Sequence, residues 1–433
     1  MTASAPPRYL DLTDDPEPFL TGPRPPSPDG SAAGQAWGAA PGTGRALSAS
    51  SFGVTGDGRA GGRGDRTEAS RRRRDGAPEG VGRPVHDRRG GAHEGAASGA
   101  VADLFGLLRS VLPDGLDQYV LGSSAAEVCD VALRAVRRAR PARRQVAVAA
   151  GGHHGVTLGR VDGMVEVPYG DAEAMGRALA DRSVAAVFLE PVLDGPGLTV
   201  PPRGYVGRVA EACARTGTLL VADEFQTCLG RTGRMFAVDH DAVVPDVMLL
   251  SKAGAGFPRV GVCALGTALA GAVEDHPLPH GGPSALSLAA ACAAVRETTD
   301  LDLPAHAARL GPRLLAGLED ACRRHPAHLL GAVGTGLMTG LRTRDSSAEF
   351  QISMMLAGHG LRTGHSRHHP GGRTAHPVLP FCPPLTVTER QIDHVLAALE
   401  ATLTWLDGRP RPRTGGLGHL LRGLGPFRTP TDW

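Results

Sequence analysis

Lys252 is the only lysine in a chain of 433 residues that contains 46 lysines and arginines together. It follows an apolar run in the segment VMLLSKAGAGFP, residues 247–258. Arginine can replace lysine wherever a positive charge is enough, but it stays protonated and cannot act as a neutral amine. A desolvated lysine can lose its proton and attack a carbonyl carbon. Lys252 is therefore a candidate for forming a Schiff base. The alternative is a lysine without a chemical role, and the flanking sequence distinguishes between the two.

A carboxylate follows a second apolar run, at Asp223 in the segment VADEFQTCLGRTG, 29 residues before Lys252. This spacing is about one strand–helix–strand unit. A carboxylate near a Schiff-base lysine is what pyridoxal phosphate requires, because it keeps the pyridine nitrogen protonated and lets the ring accept electrons. An aspartate at a strand end is also a common helix cap, so Asp223 alone is a weak signal.

Two further segments have the residue types that this cofactor needs. In GSSAAEVCDVALR, residues 122–134, a turn of small residues leads into a helix whose N-terminus can hold a phosphate group. In GGHHGVTLG, residues 151–159, the ring of His153 follows a strand and could stack on the cofactor. Each segment alone has an ordinary explanation, as a helix cap or a polar loop. Together, in this order and with the only lysine, they predict a pyridoxal phosphate site.

The elements that position these residues alternate between apolar runs and helical patterns from about residue 100 onward. Continuous apolar runs predict strands that are buried on both faces, as in a doubly wound, mainly parallel sheet of an α/β protein. Such sheets bind ligands at the carboxyl ends of their strands, where Asp223 and Lys252 lie. Helices are predicted over AAEVCDVALRAVRRAR and GYVGRVAEACARTG, the second ended by a glycine. The candidate strands are residues 118–123, 145–150, 184–190, 218–224, 247–252 and 260–266.

The domain organisation is predicted from changes in composition. We expect a large domain over residues 100–300 and a smaller α+β domain, built from the N-terminal segment 1–99 and from residues 301–406. A helix is predicted over TVTERQIDHVLAALEATLTWL in the smaller domain. The tail 407–433 is rich in proline, glycine and arginine and is predicted to be loose.

Residues 56–99 differ from the rest because they have no periodicity and almost no large apolar residue. This composition predicts disorder. The arginine and glycine runs could hold RNA, but a solvated basic segment is the simpler interpretation. A second hypothesis is that some forty codons of this segment are translated in the wrong reading frame. An uninterrupted frame in a resequenced gene would count against it.

Charge and cysteine content limit the partners and the cellular compartment that the sequence predicts. The formal net charge of +2 gives no reason to expect a nucleic acid or a membrane partner. No apolar run reaches the length of a membrane span, and the N-terminus lacks the apolar core of a signal peptide. The seven cysteines form no metal-ligand spacing and read as buried thiols of a reducing cytoplasm. The histidine-rich stretch 364–377 is interpreted as a polar loop in preference to a metal site.

From about residue 100 to 405 the chain resembles the class III aminotransferases of the fold-type-I pyridoxal phosphate superfamily. The long D-E-x-Q-T-x-x-G-R-T-G stretch is highly specific. The segments that carry the resemblance are Ser124–Glu127, His153–Gly159, Glu190–Pro191, Asp223–Gly233 and Ser251–Lys252.

The resemblance implies a pyridoxal phosphate enzyme that moves an amino group between an amine or amino acid and a carbonyl acceptor. It also implies a homodimer. The implied roles are the Schiff base and proton transfer for Lys252, contact with the pyridine nitrogen for Asp223, contact with the phenolic oxygen for Gln226, phosphate binding for Ser124 and Ala125, and stacking on the two ring faces for His153 and Phe225.

The chain departs from the family pattern at several positions. His153 stands where a larger aromatic ring is usual, and the region 279–295 lacks the threonine with which a neighbouring subunit binds the phosphate; His280 or Ser284 could substitute. Pro380 stands where many members carry an arginine that binds a substrate carboxylate. Gly195 stands where they carry the glutamate that gates this arginine. Two alternatives remain open: another reaction of the same fold, racemisation or decarboxylation, and a catalytically impaired homologue that binds the cofactor.

Overall fold

The computed structural model describes residues 10–11, 94–154, 163–194, 197–251, 260–273, 282–364 and 377–409. Lys252, most of the segment 56–99 and the tail from residue 410 lie outside these ranges, so the predictions made for them stand as predictions. Helix α1 begins at Glu94, six residues before the boundary at residue 100 that composition suggests. Its first turns consist mainly of small residues and carry no apolar periodicity.

A seven-stranded sheet forms the centre of the described part of the chain, in the order β2-β8-β7-β6-β5-β3-β4. Strands β4, β3, β5, β6 and β7 are parallel to one another, whereas β8 is antiparallel to both β7 and β2. The strands are β2 (Leu116–Gly122), β3 (Gln145–Ala149), β4 (Met164–Val167), β5 (Val184–Leu189), β6 (Leu219–Asp223), β7 (Val247–Leu250) and β8 (Gly261–Gly266).

Both faces of this sheet are buried, because successive residues of the central strands enter two different apolar clusters. In β5, Val187 and Leu189 belong to one cluster, and Ala186 and Phe188 belong to the other. The alternation explains why the strands read as continuous apolar runs. The predicted mainly parallel, doubly wound sheet is confirmed.

Helices connect the strands and cover the two faces. The helices of this part are α1 (Glu94–Val111), α2 (Ala125–Ala139), α3 (Ala172–Leu179), α4 (Tyr205–Thr216) and α5 (Ala285–Asp300). Ser124 caps the N-terminus of α2 with its side chain, and Gly217 ends α4 in the left-handed conformation, with φ of 68°. The two helices predicted for this part of the chain therefore form where their sequences place them.

The C-terminal part builds a second, antiparallel sheet in the order β12-β10-β9, with helices packed on it. Thr388 and Gln391 form a reciprocal capping box at the start of the last helix, as the sequence T-x-x-Q favours. A short parallel pair joins β1 (Leu10–Asp11) to β11 (Leu361–Arg362). The remaining elements are α6 (Leu303–Arg324), β9 (Leu329–Thr335), β10 (Met338–Thr343), α7 (Ser346–Gly358), β12 (Val378–Phe381) and α8 (Glu389–Asp407).

The two sheets draw on separate stretches of sequence. Every strand of the large sheet lies between residues 100 and 300, and every strand of the three-stranded sheet lies between residues 301 and 406. No helix within the described ranges is long and apolar enough to cross a membrane.

Candidate active site

The carboxyl ends of β3, β5 and β6 lie side by side, because these strands are parallel and adjacent in the sheet. Each end is followed at once by polar side chains. His153 and His154 come after β3, Glu190 directly follows β5, and Asp223 is the last residue of β6. This is the edge of a doubly wound sheet where ligands bind.

His154 and Asp223 form a buried pair at this edge. Nδ1 of the imidazole lies 2.7 Å from Oδ2 of the carboxylate, and the two side chains are 2% and 1% exposed. Burial alone would lower the pKa of His154, but the hydrogen bond and the charge of Asp223 outweigh it and raise the pKa above its ordinary value. The Asp223 carboxylate thus favours an imidazole that carries its proton on Nδ1 and donates it to Oδ2.

The second oxygen of Asp223 is held by the backbone. Oδ1 accepts a hydrogen bond from the N–H of Phe225 at 3.1 Å. Each oxygen thus has one partner among these groups and a second lone pair left over. The carboxylate is fixed in orientation and can still accept a proton-bearing nitrogen of a ligand.

Glu190 links the loop after β3 to the loop after β5. Its Oε1 accepts from the N–H of His153 at 2.6 Å, and its Oε2 accepts from the N–H of Asp194 at 3.2 Å. Burial raises the pKa of Glu190 to about 7; the charge of Asp223 acts in the same direction, whereas His154 and the N–H donors act against it. A carboxyl group with a pKa near neutrality and a charged neighbour is typical of functional sites.

The N-terminus of α2 lies at the carboxyl end of β2. Ser124 accepts a hydrogen bond from the N–H of Glu127 at 3.2 Å, so its own hydroxyl proton is available to a ligand. A Cβ on Gly261 would lie 2.5 Å from the carbonyl oxygen of Ser124, so the backbone of β8 packs directly against this helix end. Helix N-termini of this kind bind phosphate through their first N–H groups.

The D-E-x-Q-T stretch places its second carboxylate away from this edge. Glu224 is fully buried, and its side chain accepts hydrogen bonds from Thr227, from Ala237 N–H at 3.0 Å and from Val238 N–H at 2.9 Å. Burial raises the pKa of Glu224 to about 7 although all three donors lower it. Glu224 thus organises the turn that follows Asp223.

Ser251 directly follows β7, the strand that leads to Lys252. Its hydroxyl donates to the carbonyl oxygen of Val260 at 3.1 Å, and the side chain is buried. The two ends of the intervening segment are therefore joined at the carboxyl end of β7, next to β6.

The residues present fit pyridoxal phosphate. Asp223 offers a fixed carboxylate for a protonated ring nitrogen, and the N–H groups of Ala125 and Ala126, with the Ser124 hydroxyl, offer donors for the phosphate. Nε2 of His154 is buried and has no hydrogen-bond partner among the residues that the structure describes. Among the described residues, no group of three or more His, Cys, Asp and Glu side chains is arranged to hold a metal ion.

The structure brings together most of the residues selected from sequence. Ser124, Ala125, His153 and Asp223 lie at strand or helix ends on the same edge, with His153 exposed. Gln226 is half-buried, and Phe225 is 8% exposed within the apolar cluster between the sheet and α2. Lys252, the threonine substitute proposed at His280, and Gly195 at the position of the family's glutamate lie outside the described residues. Ser284 is described, and it caps α5 by accepting from Ser287 N–H.

Sequence reasoning missed His154. It assigned a ring contact to His153 and no role to the histidine beside it. The pair of adjacent histidines was the available signal, because neighbouring side chains of an extended segment point in opposite directions and a buried imidazole needs a partner.

Comparison with known proteins agrees with this geometry. The model of the family "Aminotransferase class-III" matches residues 168–403. The putrescine aminotransferase of Pectobacterium atrosepticum is 29% identical over 328 residues, which cover 70% of this chain and 69% of that protein. The acetylornithine aminotransferase of Mycolicibacterium smegmatis is 34% identical over 305 residues, which cover 65% and 73%.

A solved structure, the ornithine aminotransferase from Toxoplasma gondii, superposes with a TM-score of 0.63 at 25% sequence identity, covering 71% of this chain and 77% of that chain. The fold is thus that of fold-type-I transferases. The chain belongs to the class III aminotransferases, which use pyridoxal phosphate to move an amino group from an amine or amino acid to a carbonyl acceptor.

Proposed function

We propose that Lys252 holds pyridoxal phosphate as a Schiff base and that the edge built by β3, β5 and β6 binds its ring. The observation that supports this proposal best is the buried contact of 2.7 Å between His154 and Asp223, because it fixes the orientation of the carboxylate. Asp223 would hold the protonated pyridine nitrogen. The bound cofactor supplies an electron sink for the carbanion that amino transfer generates.

The remaining assignments follow the positions of the side chains. Ser124 and Ala125 would bind the phosphate at the N-terminus of α2, where N–H groups and the helix dipole favour an anion. His153 would cover one face of the ring and Phe225 the other, and Gln226 would contact the phenolic oxygen. Lys252, once displaced by the incoming amine, would act as the base that moves a proton from the donor carbon.

We propose a donor that carries its reacting amino group at the end of an aliphatic chain. The similar proteins named above are putrescine, acetylornithine and ornithine aminotransferases. Pro380, which stands where many members carry an arginine, lies on β12 opposite Gly340 and supplies no charge for a carboxylate. Donors with no carboxylate to be held there, such as putrescine, are therefore favoured.

A half-reaction tests this function. The purified protein is loaded with pyridoxal phosphate, mixed with putrescine, ornithine or N-acetylornithine in turn, and denatured, and the cofactor is separated by chromatography. We expect conversion to pyridoxamine phosphate with at least one donor, and fastest with putrescine. No conversion with any of the three donors, in protein shown to bind the cofactor, would contradict amino transfer from this class of amine.

We further propose that the enzyme is a cytoplasmic homodimer. Leu286 is 79% exposed on the first turn of α5, close in sequence to Gly282, whose carbonyl oxygen accepts a hydrogen bond of 2.8 Å from Ser123 in the phosphate-binding turn. In the proposed dimer, the partner subunit would cover this side chain. All seven cysteines are free thiols, as suits a reducing compartment. Sedimentation equilibrium would test the dimer, and Leu286→Asp should weaken it.

A further inference from the structure

Three ionisable side chains are buried together at the ligand-binding edge of the sheet. Counted over the whole residue, Glu190 is 7% exposed, His154 4% and Asp223 3%. His154 bonds to Asp223, whereas the described hydrogen bonds of the Glu190 carboxylate come from two backbone N–H groups. Glu190 thus brings a second carboxylate to the pair without bonding to either side chain.

The proposed function makes this second carboxylate necessary. If Asp223 is shared between the imidazolium of His154 and a protonated pyridine nitrogen, two positive charges face one negative charge in a buried place. Uncompensated charge is costly in such surroundings. Glu190 is the described carboxylate that can restore neutrality there.

We propose that Glu190 is a positioning residue for the cofactor ring: its charge keeps His154 protonated while Asp223 binds the pyridine nitrogen, and its bond to the His153 N–H fixes the loop that carries both histidines. This inference rests on the proposed role of Asp223.

The groups that face Glu190 come from several elements. His154 approaches from the loop after β3, Asp223 from the end of β6, Tyr169 from the connection between β4 and α3, and Cys129 from α2. Burial raises the pKa of the Tyr169 phenol and of the Cys129 thiol, so both groups stay neutral near pH 7. Glu190 and His154 are the described groups here whose raised pKa values bear on titration near pH 7.

The first test follows the ring nitrogens of His154 by NMR in ¹⁵N-histidine-labelled protein without cofactor. The resonance is assigned by its loss in His154→Gln. We expect Glu190→Gln, which keeps the acceptor for the His153 N–H but removes the charge, to lower the midpoint of the His154 titration. Glu349→Gln, which replaces a buried carboxyl group in α7, is the control and should leave that midpoint unchanged. An unchanged midpoint in Glu190→Gln would overturn the proposal.

A second measurement in the wild-type protein covers the case in which Glu190→Gln does not fold. Because interacting groups titrate as a pair, the His154 resonance should show an additional step near pH 7 as Glu190 ionises. A single step with no inflection in that region would contradict the coupling.

The last test measures the Kd of pyridoxal phosphate and separates this proposal from the proposed function. Binding to the wild type tests the function. We expect Glu190→Gln to weaken binding about tenfold, which corresponds to 1.4 kcal/mol, and Glu190→Asp to retain most of the affinity. In a His154→Gln background, Glu190→Gln should have less than about a twofold effect, because coupled residues are not additive. A full tenfold loss in that background would overturn the role through His154.

Discussion

The imidazole of His154 donates to the carboxylate of Asp223 across 2.7 Å, and this pair joins the loop after β3 to the end of β6. The two residues are 69 positions apart in the chain. The contact orients the Asp223 carboxylate by protein groups alone. A preorganised acceptor of this kind lowers the free-energy cost of binding the cofactor.

Replacing His154 by phenylalanine should destabilise the cofactor-free protein. The ring volume is kept, but Asp223 loses its charged partner while it remains buried, which costs about 3 kcal/mol in the free energy of unfolding at pH 6. Urea denaturation measures the loss. His306→Phe, which removes a bond of 2.8 Å to the backbone carbonyl of Val387, is the control and should cost about 1 kcal/mol. Equal losses in the two variants would contradict a charged pair.

The contribution of His154 should also depend on pH. Because its pKa is raised in the folded state, the stabilisation is fully present below about pH 6.5, the ordinary value, and is lost as pH rises through the folded pKa. The difference in unfolding free energy between wild type and His154→Phe should therefore shrink with rising pH. A difference that grows with pH would reverse the sign we derive.

Glu224 should make stability fall as the solution becomes less acidic. Its pKa rises from 4.5 to about 7 on folding, so the folded protein must ionise a buried carboxyl group that ionises readily when unfolded. At 1.36 kcal/mol per pKa unit this amounts to about 3 kcal/mol, lost between pH 4.5 and 7. We expect Glu224→Gln to reduce this slope in urea denaturation series. An unchanged slope would show that Glu224 does not titrate in this range.

Gly261 should resist substitution because it lies directly beneath the start of α2. An alanine Cβ would lie 2.5 Å from the carbonyl oxygen of Ser124 and 2.9 Å from Val128, so the helix end must shift. We expect Gly261→Ala to lose about 2 kcal/mol of stability and to bind pyridoxal phosphate more weakly. Gly176 lies in α3, where an added Cβ would meet no atom of the described residues beyond its own helix within 4 Å, so Gly176→Ala should be more stable than the wild type. Equal changes in stability and in pyridoxal phosphate affinity for the two variants would contradict close packing of β8 against the start of α2.

Arg231 should stabilise the junction between the D-E-x-Q-T stretch and the C-terminal sheet. Its side chain is buried, and Nη1 donates to the carbonyl oxygen of Pro383 at 2.6 Å. Arg231→Met should lose about 2 kcal/mol, since a buried carbonyl loses a charged donor. Arg309 lies 2.6 Å from Glu389 but is 57% exposed, so Arg309→Met should cost much less. Equal losses of unfolding free energy in the two arginine variants would contradict a larger contribution from the buried arginine.

The sequence predicted the central sheet because burial on both faces leaves continuous apolar runs such as VAAVFLE. Two features of that sheet escaped prediction. Strand β4 lies at the edge, and its sequence MVEV contains a glutamate and an exposed Met164, so it has no continuous apolar run. The reversed direction of β8 depends on how the chain returns after β7, which apolar content does not encode.

The sequence indicated where Asp223 and Ser124 lie in the fold, but it did not indicate the contacts between the residues of the candidate site. Asp223 and Ser124 stand at a strand end and a helix start, both of which local patterns reveal. The pairing of His154 with Asp223 and the bridge from Glu190 to His153 join segments 37 to 69 residues apart. Such contacts depend on strand order, which single-sequence patterns do not determine.

The most direct test of the account uses the only lysine of the chain. The purified protein is incubated with pyridoxal phosphate, its visible absorption is recorded, and borohydride reduction is followed by peptide mass analysis. We predict a visible band that borohydride removes, a cofactor adduct on the peptide that contains Lys252, and neither in Lys252→Ala. A wild-type protein without the band, or an adduct confined to the chain's terminal amine, would contradict the central claim that Lys252 carries the cofactor.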